Sequence, residues 1–127
     1  MKNSNGKVIA ITGSIGKTSV KEMIYSILCT KYTTCSTSGN YNNLIGLPNC
    51  IINMNNDCEY IVVEMGMSNF GEISKLTQIC QPTISAITWI GESHIGNFKS
   101  KQDIALAKSE IFDNMKPNSV AVIPEDN

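Results

Sequence analysis

A glycine-bracketed turn followed by Lys-Thr is the segment whose residue types most directly indicate chemistry. Residues 8–12 form a short apolar run, residues 13–18 read Gly-Ser-Ile-Gly-Lys-Thr, and a helical pattern begins at Ser19. The backbone N–H groups of such a turn face an anion, Lys17 adds a positive charge, and the Thr18 hydroxyl is a ligand type that suits Mg²⁺. The spacing is shorter than in the standard phosphate-binding motif, which has a glycine where Ile11 stands. The predicted phosphate-binding residues are Gly13, Ser14, Ile15, Gly16, Lys17, Thr18 and Ser19.

Two further polar residues follow apolar runs that are typical of strands. Glu64 ends the run at residues 60–64, where a carboxylate either holds Mg²⁺ beside a phosphate loop or is simply solvated. His94 lies in a glycine-bracketed loop directly after the run that ends at Trp89. Its imidazole suits a divalent cation or a phosphoryl group, and the alternative is a structural histidine. Both residues are therefore candidate ligands.

Lys108 and an asparagine-rich loop complete the set of candidates. Lys108 has Ile104 and Ile111 on the same helical face, which is unusual for a surface lysine. It is either a snorkelling side chain or a desolvated amine with a depressed pKa that can take up CO₂ as a carbamate. Asn42 and Asn43 offer amide groups to phosphate oxygens, and the alternative is a plain turn.

The elements that must position these residues alternate along the chain. The apolar runs at residues 8–12, 60–64, 83–89 and 120–123 are nearly continuous, as in parallel strands that are covered on both faces, and a weaker strand is predicted at 33–37. Helical patterns occupy residues 19–31, 46–54, 70–80 and 100–115. In the first helix we expect one apolar face made of Val20, Met23, Ile24, Ile27 and Leu28. The prediction is an α/β fold, a three-layer P-loop-type domain whose mostly parallel sheet is flanked by helices and whose ligand loops gather at the carboxyl edge.

Composition narrows the class of protein. The chain has 127 residues, a net charge of −1 and 42% hydrophobic residues, which fits one globular domain without affinity for nucleic acid. No apolar run is long enough for membrane insertion, and the polar N-terminus does not resemble a signal peptide. The five cysteines are odd in number and scattered, so we expect reduced thiols and a cytoplasmic location, with no zinc site.

Five segments in a fixed order resemble the central ATP-binding domain of the Mur ligase family. They comprise residues 11–23, 39–48, 64–73, 90–94 and 105–111. The Lys21-Glu22 pair and the Glu-Met-Gly-Met-Ser run at residues 64–68 are most similar to the members that add D-alanyl-D-alanine, rather than to folylpolyglutamate synthases.

The resemblance implies an ATP- and Mg²⁺-dependent peptide ligase of peptidoglycan precursor synthesis. Such an enzyme adds D-Ala-D-Ala to UDP-MurNAc-tripeptide through an acyl phosphate. It implies that Lys17, His94 and Lys108 are catalytic, that Thr18 and Glu64 hold one Mg²⁺, and that His94 and a carbamylated Lys108 hold a second.

The resemblance also sets the expected domain organisation. Residues 1–127 correspond to part of the central domain, without the family's N-terminal UDP-substrate domain and its C-terminal domain, so little activity is expected from them alone. The alternatives are a stand-alone or degenerate nucleotide-binding module, or a related ligase that acts in folylpolyglutamate, cyanophycin or polyglutamate synthesis.

Overall fold

Strands and helices alternate along the chain in the computed structural model, which describes residues 7–37, 46, 57–67, 69–91 and 98–125. The elements are β1 (Lys7–Thr12), α1 (Lys17–Cys29), β2 (Thr34–Ser36), β3 (Tyr60–Glu64), α2 (Glu72–Cys80), β4 (Ile84–Ile87), α3 (Lys101–Ser109), a 3₁₀ turn (Glu110–Phe112) and β5 (Val120–Val122). The predicted helix at residues 46–54 lies outside the described residues apart from Gly46, which is helical.

The strands form one parallel sheet in the order β2–β3–β1–β4–β5. The central strand β1 pairs with β3, where Ile11 lies opposite Glu64, and with β4, where Thr12 lies opposite Ile87. The connections from β1 and from β3 therefore run in opposite directions along the sheet. Since such crossovers are right-handed, α1 covers one face and α2 the other. The loops after β1, β3 and β4 consequently meet at the carboxyl edge.

Each strand residue faces one of two apolar layers. The layer between the sheet and α2 contains Val8, Ala10, Ile61, Val63, Ile73 and Leu76, all buried, together with Ile111 of the 3₁₀ turn. Because side chains alternate along a strand, Val62 and Glu64 point to the opposite face, which α1 covers. The fold class predicted from the sequence is confirmed, and β1 and β3 are covered on both faces, whereas the edge strand β5 is exposed throughout.

The predicted apolar face of α1 is wrong in part. Met23 and Ile27 are 58% and 69% exposed, while Val20, Ile24 and Leu28 are half-buried. The residue of α1 that is fully buried is Lys21. The physical reason is that polar contacts of α1 with the end of β3 set the rotation of the helix, which turns Met23 and Ile27 away from the sheet.

The structure also differs from the sequence predictions in the length of β4 and in the state of two cysteines. The predicted strand at residues 83–89 ends at Ile87, because Thr88 and Trp89 bond to the phosphate loop instead. The expectation of reduced thiols is wrong for Cys35 and Cys58, which form a disulfide with a Cα–Cα distance of 6.0 Å. The parallel pairing of β2 with β3 brings these residues together, although 23 positions separate them.

Among the cysteines that the structure describes, Cys29 and Cys80 are free thiols. Burial raises the pKa of Cys80 to about 12, which fits a packing role in the core. No helix within the described ranges is long and apolar enough to cross a membrane.

Candidate functional site

The turn between β1 and α1 is shaped by two glycines. A Cβ atom at Gly13 would overlap the Thr88 Oγ1 atom, so only glycine fits this close approach of the loop to the end of β4. Gly16, with a φ of 87°, is the N-cap of α1 and has no side chain with which to cap the helix. The first turn of α1 also contains no acidic residue. Its N–H groups therefore face outward as a ready anion site.

Residues 88–91, which follow β4, form hydrogen bonds with the loop between β1 and α1. The Ser14 N–H donates to the Trp89 carbonyl at 2.7 Å, and the Ser14 hydroxyl donates to the Gly91 carbonyl at 3.3 Å. The Thr88 hydroxyl donates to the Ile15 carbonyl at 2.7 Å. These bonds couple the backbone of the loop to the strand that precedes the candidate residue His94.

Thr18 and Glu64 meet where α1 begins and β3 ends. The Thr18 hydroxyl donates to the Glu64 Oε1 atom at 2.9 Å, and Glu64 is only 2% exposed. One hydroxyl and one carboxylate oxygen are the hard donors that Mg²⁺ takes, with phosphate oxygens and water as its remaining ligands. The described part of the chain holds no group of three or more His, Cys, Asp or Glu side chains that could bind a metal ion. The two oxygen donors of Thr18 and Glu64 leave positions for phosphate oxygens and water around a bound Mg²⁺.

Lys108 is buried, as its apolar neighbours Ile104 and Ile111 on the same helical face suggested. It is 2% exposed in the last turn of α3. Burial, and to a smaller degree the positive charge of Lys17, lowers the pKa of Lys108 from 10.5 to about 8. Desolvation is therefore the better of the two alternatives left open by the sequence. The two amines therefore interact electrostatically, so an anion bound at Lys17 also acts on the charge of Lys108.

The carboxylate of Glu110, two residues after Lys108, fixes this part of the chain. It accepts hydrogen bonds from the Gly71 N–H at 2.9 Å and from the Ser74 N–H at 3.2 Å. The N-terminus of α2 is thereby capped by a residue that is distant in sequence. This contact connects the end of α3 to α2 and restrains the backbone next to Lys108.

Lys21 is a site residue that the sequence reasoning did not select. Its ammonium group donates to the Thr37 carbonyl at 2.6 Å and lies 3.8 Å from the Glu64 Oε1 atom. Only its position one turn after the phosphate loop could have indicated this role. The other sequence candidates, His94, Asn42 and Asn43, lie outside the described residues and stay predictions.

Comparison with known proteins connects this geometry to one family. The family model described as "Mur ligase middle domain" matches residues 11–127. The chain is 44% identical over 126 residues to the UDP-N-acetylmuramoyl-tripeptide–D-alanyl-D-alanine ligase of Rickettsia prowazekii, which covers 99% of this chain and 28% of that protein.

Solved structures give the same result. MurF from Acinetobacter baumannii matches with a TM-score of 0.93 and 41% identity, covering 98% of this chain and 27% of the other. MurF ligase from Thermotoga maritima in complex with ADP matches with a TM-score of 0.92 and 36% identity, covering 98% and 29%. The chain thus spans little more than a quarter of the length of the relatives that it matches.

Proposed function

Because the chain belongs to the Mur ligase family through its middle domain, we propose that it binds ATP and Mg²⁺ for a ligase that joins D-Ala-D-Ala to UDP-MurNAc-tripeptide. The observation that carries the proposal is the 2.9 Å contact between Thr18 and Glu64 beside an uncapped helix N-terminus. This contact supports the proposal, because a hydroxyl and a carboxylate of the types that Mg²⁺ takes meet beside the first turn of α1, where the N–H groups suit an anion. The ADP complex of the Thermotoga relative supports a nucleotide as the anion.

In the proposed reaction, the tripeptide carboxylate attacks the γ-phosphorus of ATP and ADP leaves. The amine of D-Ala-D-Ala then attacks the acyl carbon of the resulting acyl phosphate, loses a proton and expels inorganic phosphate. Mg²⁺ supplies neutralisation of the charge on the phosphoryl oxygens. A cytoplasmic location is part of the proposal, because the reaction consumes ATP.

This chain's own residues have separate roles in the proposal. The Lys17 ammonium group and the N–H groups of the loop from Gly13 to Ser19 bind the β- and γ-phosphates, apart from the Ser14 N–H, which donates to the Trp89 carbonyl. Thr18 and Glu64 hold one Mg²⁺. His94 and the carbamylated Lys108 hold a second Mg²⁺. Asn42 and Asn43 contact the nucleotide. The acceptor and amine sites of the complete reaction are assigned to other segments of the ligase, so the 127 residues alone should turn over little substrate.

The role of Lys108 includes a covalent step. Its neutral amine adds CO₂ to form a carbamate and releases one proton, which converts a cation into an anionic oxygen ligand. The lowered pKa of about 8 supports this, because a substantial share of the amine is neutral near physiological pH.

Nucleotide binding is tested by calorimetry on the chain with ATP and Mg²⁺. Lys17→Met should weaken binding by about tenfold to a hundredfold, since a hydrogen bond to a charged group contributes about 1.5–3 kcal/mol. The matched control is Lys75→Met, which removes an exposed lysine of α2 on the opposite face of the sheet. Equal affinities of the Lys17→Met variant and the unchanged chain would contradict the assignment of the loop.

Carbamate formation is tested separately by ¹³C NMR in ¹³C-bicarbonate at pH 8.5. The unchanged chain and Lys75→Met should show one carbamate signal that Lys108→Met lacks. The same signal in all three proteins would place the carbamate elsewhere and remove Lys108 from the proposal.

A further inference from the structure

Lys21 is a charged residue buried as completely as the apolar core. It is 0% exposed on α1, one turn after Thr18, and its neighbour Glu64 is 2% exposed. Lysine is almost never fully buried unless its charge is paired. On α1 the apolar side chains of Met23 and Ile27 are exposed, whereas the ammonium group of Lys21 is buried. The burial of a charge in place of an apolar side chain indicates a specific partner for that charge.

The buried partner of the Lys21 charge is the carboxylate of Glu64. The Thr18 hydroxyl lies 2.9 Å and the Lys21 Nζ atom 3.8 Å from the same oxygen, Oε1. The Lys21 Nζ atom also donates to the Thr37 carbonyl at 2.6 Å, while the Thr37 hydroxyl accepts from the Glu64 N–H at 3.3 Å. The ends of β2 and β3 and one face of α1 are thus closed into a ring of contacts around the carboxylate.

We propose that Lys21 is the internal counter-ion of the metal site: it holds the Glu64 carboxylate in its binding position and makes tight cation binding depend on the nucleotide. The inference rests on the proposed function, since it takes Glu64 as a Mg²⁺ ligand. The Lys21 ammonium group lies 3.6 Å from Glu22 and 3.8 Å from Glu64. Glu22 is largely exposed and screened by water, so within the buried site the ammonium charge mainly offsets the Glu64 carboxylate. A free divalent cation therefore gains little by approaching Glu64 and is repelled by the ammonium group. A cation that arrives with triphosphate brings its own negative charge and overcomes that repulsion.

Lys21 is therefore a positioning residue with a role distinct from that of Lys17. Lys17 is half-buried in the first turn of α1 beside the anion site, whereas the Lys21 contacts are with Glu22, Glu64 and Thr37. A purely structural lysine would stabilise the fold without changing the affinity of the site for metal.

The test measures binding of free Mn²⁺, without nucleotide, by electron paramagnetic resonance, and thermal unfolding with and without Mn²⁺. Lys21→Met should bind free Mn²⁺ on the order of tenfold or more tightly than the unchanged chain. Its melting temperature should fall by roughly 10 °C and recover in part when Mn²⁺ is added, because the metal replaces the lost positive charge. Lys75→Met, which also removes one lysine, should change neither measurement.

A double variant separates the counter-ion role from simple packing. Lys21→Met with Glu64→Gln removes both charges, so it should regain most of the lost melting temperature and bind no free Mn²⁺. If Lys21→Met alone does not fold, recovery of the fold in the double variant supports the proposal. A double variant as damaged as the single one overturns the proposal, as does Mn²⁺ affinity that Lys21→Met leaves unchanged.

These measurements need no ATP. Failure of the unchanged chain to bind ATP with Mg²⁺ would therefore count against the proposed function, whereas the Mn²⁺ and unfolding data decide the role of Lys21.

Discussion

Replacing Lys108 with methionine should stabilise the chain at neutral pH and have a much smaller effect above pH 10. Lys108 is 2% exposed, and burial together with the charge of Lys17 lowers its pKa to about 8. The unfolded chain keeps the lysine proton up to a pKa of about 10.5, so the unfolded state binds more protons between these two values. Stability of the unchanged chain must therefore rise with pH across this window.

The magnitude follows from the difference between the two pKa values. Below pH 8 the folded state carries a buried ammonium group whose cost is at most about 3 kcal/mol. Methionine is similar in length and carries no charge, so its variant lacks this cost at every pH. The expected gain at pH 7 is up to about 3 kcal/mol, which corresponds to roughly 10 °C in melting temperature. Well above pH 10.5 the two proteins should differ only through packing, and at pH 10 most of the difference should already be lost.

The assay is urea unfolding at pH 7, 8, 9 and 10 in buffers purged of CO₂, because a carbamate at Lys108 would add its own effect. Other titrating groups are common to both proteins and cancel in the difference between them. Lys75→Met, at an exposed position, provides a lysine-to-methionine control for which no trend is expected. The reasoning is refuted if Lys108→Met is less stable at pH 7, or if its advantage does not shrink as pH rises.

Three further outcomes follow from the same contacts. Gly13→Ala should lower the free energy of unfolding by about 2 kcal/mol or more, because the new Cβ overlaps Thr88. Gly16→Ala adds no contact and should lower it by only about 1 kcal/mol. Equal losses of unfolding free energy would contradict the steric argument. Glu110→Gln should destabilise α2 by about 1 kcal/mol, seen as faster amide hydrogen exchange in its first turn, since an amide caps less well than a carboxylate; unchanged exchange would exclude this cap. ATP without Mg²⁺ should reduce the carbamate signal of Lys108 in ¹³C NMR. The negative charge of the phosphates raises the pKa of the Lys108 amine and leaves less of it neutral. An increased signal would contradict the electrostatic interaction between Lys108 and the anion at Lys17.

The fold and the turn at residues 13–18 were accessible from the sequence because both depend on local pattern, whereas phosphate binding by that turn stays a prediction. Nearly continuous apolar runs alternate with helical periods only in a sheet that is covered on both faces. The glycine at position 13 follows from one close approach, in which the Thr88 side chain occupies the space where a Cβ of residue 13 would lie. The steric reason was visible only once β4 was paired with β1.

Features that depend on pairing between distant elements could not be predicted in the same way. Apolar periodicity assigned Met23 and Ile27 to the inner face of α1, because a period counts residue types and cannot anticipate that a lysine will be buried by a carboxylate 43 positions away. The disulfide of Cys35 and Cys58 likewise depends on the register of β2 against β3. His94, Asn42 and Asn43 stay predictions from the sequence.

The charges around the loop at residues 13–18 oppose one another. Lys17 contributes to lowering the pKa of Lys108, so the two ammonium groups repel each other, and a bound anion would reduce that repulsion. On the other side of the loop, Lys21 lies 3.8 Å from Glu64, so the carboxylate is already paired before any metal arrives. Under the proposed function, bound phosphate relieves the first imbalance, and the same phosphate supplies the negative charge that lets a divalent cation approach Glu64 despite Lys21. Nucleotide and metal are therefore expected to bind as a unit, because each removes the electrostatic cost that opposes the other.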